Sequence, residues 1–117
     1  MSTSDHQQRN RHDSIQLLKG IGQRYRRSGQ AQRALVMLLI AAHLAPADAP
    51  LLHALALAFT DSGNTQRALA ALDRLQRLEG ESASLLLLRS RALWRAAQHD
   101  QARQCFQHYL ALRKVAA

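Results

Sequence analysis

Six histidines, one cysteine and eight carboxylates are the side chains of this 117-residue chain that could bind a metal or act on a substrate. The histidines are scattered as His6, His12, His43, His53, His99 and His108, and no pair stands beside a cysteine or carboxylate at metal-ligand spacing. Cys105 has no base placed to activate it and reads as a small packing residue. The carboxylates are too few and too dispersed to suggest an acid/base pair. Gly20-Ile21-Gly22 lies inside a helical pattern, so it is not a loop that could cradle phosphate. The expectation is a protein that is not an enzyme, with no cofactor and no metal.

What the sequence does supply is charge and aliphatic surface. The formal charge is +8, from sixteen Lys+Arg against eight Asp+Glu. Both ends are basic and the middle is slightly acidic. Such a balance fits nucleic acid or an acidic partner, and equally fits plain solubility. Apolar residues make up 47% and aromatics 4%, so the core is built from Leu and Ala. These residues favour helix, β-branched residues are scarce, and two prolines and five glycines leave little for the turns of a β fold. The fold class is all-α. A single cysteine excludes a disulfide framework. The opening MSTSDHQQRNRHDS lacks the apolar core of a signal peptide, and no apolar run approaches 18 residues. A cytoplasmic protein is expected.

The elements follow from spacing. Residues 1–12 are polar and aperiodic and are expected to form a disordered tail. Asp13 or Ser14 can cap a first helix over about Ser14–Ser28, ended by Gly29. A second spans about Ala31–Leu44 and stops before Pro46. Asp48 caps the third, with Pro50 in its first turn, and this helix ends at Ser62-Gly63. The fourth runs from Thr65 to Leu78, the fifth from Ala83 to Ala96 behind a Ser82 cap, and the sixth from Asp100 to Lys114.

These helices repeat with a period of about 34 residues. Gly22, Tyr25, Gly29, Ala34 and Leu38 recur as Ala56, Phe59, Gly63, Ala68 and Leu72, and more loosely as Ser90, Leu93, Ala97, Ala102 and Phe106. Small residues alternate with large ones in phase, as close helix packing requires. The units are 15–48, 49–82 and 83–117. A helix pair that cannot bury both its faces must stack on the next pair.

In this pattern the chain resembles the tetratricopeptide repeat, which implies an α-solenoid of three repeats and six antiparallel helices. Departures are visible. Leu18, Leu52 and Leu86 stand where a tryptophan is usual, Arg89 stands where the first two units have Ile21 and Leu55, and Leu75 and Tyr109 replace a small residue. The closing helix carries a further likeness. Its run from Gln101 to Lys114, containing Ala102-Arg103 and Phe106-Gln107-His108-Tyr109-Leu110, is similar to the end of YscY-type proteins of bacterial type III secretion. That resemblance implies a small cytoplasmic chaperone, partnered as a heterodimer with a secreted YscX-type protein and engaging the export-gate component of the apparatus.

By repeat phase the first helix of each unit lines a groove. The inward residues are Gln16, Lys19, Gln23, Arg26 and Arg27, then His53, Leu57 and Thr60, then Ser84, Leu87, Arg91, Trp94 and Arg95. The groove is basic at one end and apolar towards the other, which suits an amphipathic or extended segment. Trp94, the sole tryptophan, is either a hot spot or a packing residue of the last unit. Lys19 fits one position of a carboxylate clamp, but Gln23, Ala54, Ser84 and Leu88 do not complete it.

Two further signals concern cover. The second helix is apolar nearly all round, and Val36, Leu39 and Ile40 fall where the later units have polar residues or alanine. Such a stripe calls for a partner chain or a second copy of this one, because the polar tail is a poor cover. In the last helix Phe106, Tyr109 and Leu110 are expected to lack cover, since only Val115, Ala116 and Ala117 follow it.

The leading expectation is therefore a binding module of the YscY-like kind. Alternatives are a chaperone for pore-forming translocators and a homodimeric scaffold joined through the Val36–Ile40 stripe. Nucleic-acid binding through the arginines of the first helix would be steeply salt-dependent; the groove has few aromatics for base stacking, so no nucleic-acid partner is expected. A bulky replacement at a small position tests the repeat itself. Ala68→Leu is expected to lower stability by about 1–3 kcal/mol through overpacking, read as a reduced urea midpoint.

Overall fold

The computed structural model describes residues 3–116. Among these residues six helices form: α1 (Thr3–Arg27), α2 (Ala31–Leu44), α3 (Ala49–Asp61), α4 (Thr65–Glu79), α5 (Ala83–Arg95) and α6 (His99–Ala116). Among the described residues there is no strand. Each helix packs chiefly on its neighbours in sequence, and α3 also reaches α1 and α5. The resulting body is elongated, 53 × 31 × 22 Å.

The three helix pairs turn in the same way. The amide of Gln30 donates to the Tyr25 carbonyl at 2.8 Å, Asn64 to Phe59 at 2.8 Å, and Gln98 to Leu93 at 3.0 Å. Just before each of these donors the chain must turn left-handed, with φ of 79° at Gly29, 84° at Gly63 and 63° at Ala97. Glycine adopts that conformation without penalty, whereas alanine carries a Cβ that crowds its own carbonyl. The third turn therefore repeats the geometry of the first two with a less suitable residue.

Helix starts are capped as their side chains allow. The Asp48 carboxylate accepts from the Leu51 amide at 3.0 Å, and Ser82 Oγ accepts from Leu85 at 3.1 Å. Asn64 accepts from Arg67 at 3.4 Å and caps α4 in the same position.

The core is aliphatic. Leu38, Leu51, Leu72, Leu75 and Leu85 have the largest fully buried side chains, and Ala34, Ala58, Ala68 and Ala92 are sealed between them. At Gly22 α1 lies so near α2 that an added Cβ would come within 2.8 Å of the Leu38 side chain. Two hydroxyls enter this core and are satisfied by their own helices, Thr60 Oγ1 bonding the Ala56 carbonyl and Ser90 Oγ that of Leu87.

The start of the chain departs from expectation. Residues 3–12 are helical and exposed, a continuous extension of α1 in place of a disordered tail; the first two residues of that tail lie outside the described residues. Asp13 and Ser14 consequently lie within the helix and do not cap it. The segment has neither proline nor glycine and is rich in Gln and Arg. Extending a helix already nucleated by the packed Ile15–Arg27 half needs no new nucleus. Leu17, an apolar residue of this helix, is exposed.

The turn geometry gives a paired test. Ala97→Gly is expected to raise the unfolding free energy by about 1 kcal/mol, and Gly63→Ala to lower it by a similar amount. Chemical denaturation of both variants checks the signs, and equal responses at the two sites would contradict the strain at Ala97.

Candidate protein-binding surfaces

The residues expected to line a groove meet different fates. Lys19 is not available to a ligand: its Nζ donates to Asp48 Oδ2 at 2.9 Å. The same carboxylate caps α3 through its other oxygen. One aspartate thus ties the last turns of α1 to the start of α3, and Lys19 is a structural residue. Gln23, Arg26, His53 and Leu57 are half-buried, while Gln16, Arg27 and Ser84 are exposed. The Arg26 Nε is buried without a hydrogen-bond partner. Thr60 is buried, with its hydroxyl turned back on its own helix, and so does not present a polar group to the surface.

The α5 members of the set remain accessible. Leu87 is exposed. Arg91 lies 3.5 Å from the Asp61 carboxylate, and Arg95 donates to the Asp61 carbonyl at 3.2 Å. These exposed contacts hold the arginines over α3 but leave them in water, where such pairs contribute little. Trp94 is 54% exposed, and its ring centroid is 4.2 Å from that of His99. The ring thus packs on His99 while about half of the residue's surface stays in water.

A second surface lies on α2. Val36, Leu39 and Ile40 are 52%, 42% and 46% exposed. Helices α2 and α4 both pack on α3 and not on each other. Between them runs a groove of about 330 Å³, with Leu39 and Pro46 on one wall, Leu52, Leu55 and Phe59 among its lining, and Arg67 and Arg74 across from them. The apolar stripe therefore continues into a recess.

A third surface is the outer side of the last helix pair. Phe106 and Leu110 are exposed, and the Phe106 ring stands 5.5 Å from Tyr109. Ser90, Arg91, Trp94, Ala102, Arg103 and Phe106 enclose a cleft of about 230 Å³ between α5 and α6. The sequence identified Phe106 as uncovered and Trp94 as a groove residue; it did not show that the two face one cleft. Their matched phase in adjoining helices was the signal for it.

Arg89 also finds its reason. It bridges from α5 to α4, donating to Asp73 at 2.9 Å and to Gln76 at 3.1 Å. An arginine at this repeat position closes the α4–α5 seam by polar contacts, where its counterpart Leu55 is buried in the apolar core.

Among the described residues no three His, Cys, Asp or Glu side chains group so as to hold a metal ion, and no helix is long and apolar enough to cross a membrane. No family model matches the chain, and no curated protein is significantly similar to it.

Cys105 is half-buried, with its Sγ 3.3 Å from the Leu86 carbonyl. Burial pushes its thiol pKa above the usual value; Arg89 pulls it down and Glu81 adds to the rise. The thiolate is the reactive form, so less of it is present near neutrality than in an exposed cysteine. Iodoacetamide is expected to alkylate the folded protein several-fold more slowly than the urea-unfolded chain at pH 8, with the rate rising to a higher pH midpoint.

Proposed function

We propose that this chain is a three-repeat α-solenoid of tetratricopeptide type, serving as a non-catalytic chaperone of type III secretion. In this reading it is YscY-like. It holds a small secreted YscX-type protein as a heterodimer in the cytoplasm and links it to the export gate. The 34-residue recurrence of turn, small residue and large residue supports the repeat class, and the Gln101–Lys114 helix supports the secretion family.

The observation that carries the proposal is the exposed stripe of Val36, Leu39 and Ile40 beside the groove floored by α3. A chaperone that shields an apolar client segment needs such a surface. Apolar side chains of this size, set side by side, gain from being withdrawn from water by a partner. Gln23, Arg26, His53, Leu57, Leu87 and Arg91 would supply the polar and mixed contacts of the concave side.

Light scattering after size-exclusion tests this on the protein alone and on the protein co-expressed with the small gene product encoded beside it. A discrete one-to-one complex is expected. Val36→Glu with Ile40→Glu should weaken it at least tenfold, because the two charges would have to be buried unpaired. A stable lone dimer that ignores the neighbouring product would instead establish the homodimeric scaffold.

A further inference from the structure

The molecule shows twice, within itself, what fills the cleft between the two helices of a pair. Helix α3 lies against α1 and α2, and α5 lies against α3 and α4. Under α5, the α4 side chains Leu72 and Leu75 are 0% and 1% exposed. Their counterparts one repeat later are Phe106 and Tyr109, and Phe106 is 42% exposed. The counterpart of buried Thr60 is exposed Trp94. Exposure thus rises at the positions which, one repeat earlier, a following helix covers.

Charge says what kind of helix fits. At the α3/α4–α5 seam the acids belong to the earlier pair and the bases to the arriving helix: Arg91 meets the Asp61 carboxylate and Arg89 that of Asp73, while Arg95 bonds the Asp61 backbone carbonyl. At the open cleft the pattern inverts. Arg95 stands at the repeat position of Asp61, Gln107 at that of Asp73, and Arg91 and Arg103 line the walls. An arriving helix must supply the carboxylates. A second copy of this chain is a poor source. Its α1 is rich in Arg, its α5 carries Arg89, Arg91 and Arg95, and its α3 is committed to its own core.

We propose that the cleft between Trp94 and Phe106 docks an amphipathic helix of a partner protein, with a leucine- and alanine-rich stripe flanked by carboxylates. This site is separate from the α2 stripe and stands whether or not the client is a secretion substrate. Trp94 and Phe106 grip the apolar stripe, and Arg91 and Arg103, which line the cleft and hold Asp61 and Asp100 only through solvent-exposed pairs, turn to the acids at its edge.

The chain carries its own reporter, because Trp94 is the only tryptophan of its 117 residues. The probe is a fluorescein-labelled synthetic copy of residues 82–96 bearing Trp94→Phe, Arg89→Glu, Arg91→Glu and Arg95→Glu. The control peptide bears Trp94→Phe alone. The glutamate peptide is expected to bind at least tenfold more tightly by anisotropy and to shift Trp94 emission to shorter wavelength, saturably. Phe106→Glu in the protein, at an exposed site that leaves the core intact, should weaken binding at least tenfold, whereas Val36→Glu should not. Equal affinity for the two peptides, a Trp94 emission that does not move, or indifference to Phe106→Glu would overturn the proposal. So would a blue shift that grows with protein concentration in the absence of peptide, which would seat a second copy there. The Val36 and Ile40 variants with the neighbouring gene product report on the other surface, so either conclusion can fail alone.

Discussion

Helices in this protein can lie close together because the side chains at their crossing points are small. At Gly22 the α1 backbone comes so near Leu38 that no methyl group fits without movement. Ala34, Ala68 and Ala102 hold the matching place in the second helix of each pair, and all three are buried. This spacing lets the leucines interdigitate and exclude water, and it fixes the direction in which each helix pair leaves the one before. The left-handed turns and the Asp48 and Ser82 caps act within that frame, setting where helices stop and start.

Much of this was legible in the amino-acid order. The all-helical class, the boundaries of the five later helices to within a residue or two, and the small-and-large recurrence all rest on local chemistry that a linear chain displays. The exposed Val36, Leu39 and Ile40 were legible for the same reason, since an apolar residue in a position that faces water is a mismatch visible without coordinates. What escaped was non-local. Lys19 looked like a ligand-facing cation because its partner Asp48 is remote in sequence, and that aspartate already had a role as a cap. Thr60 seemed to face a groove, yet its hydroxyl is spent on its own helix. The helical run of residues 3–12 was missed because it has no apolar periodicity to announce it; it is carried by propensity and by continuity with a packed helix.

The two apolar surfaces differ in kind. The α2 stripe lies along one flank of the first pair and opens into a recess above α3, so it offers length and little charge of its own. The cleft at α5 and α6 is short, aromatic and edged with arginine. The acidic middle of the sequence is the part already engaged, through Asp48, Asp61 and Asp73, in joining one pair to the next. The far end stays positive because its own residues supply six cations against Asp100, and the carboxylates of the middle reach only Arg89 and Arg91 among them.

Packing that runs from each helix to the next has a consequence for how firmly different parts are held. Among the described residues helix α3 touches α1, α2, α4 and α5, whereas α6 leans on α5 alone. The first ten described residues of α1 are exposed along their whole length. Stability is therefore graded along the chain, highest at α3 and lowest at the two extremities, and the ends can fray and re-form while the centre stays folded. Helix α6 is joined through the left-handed turn at Ala97, so its hold on the rest rests on its packing against α5. A molecule built this way keeps its most constrained helix inside and leaves its least constrained segments at the surface.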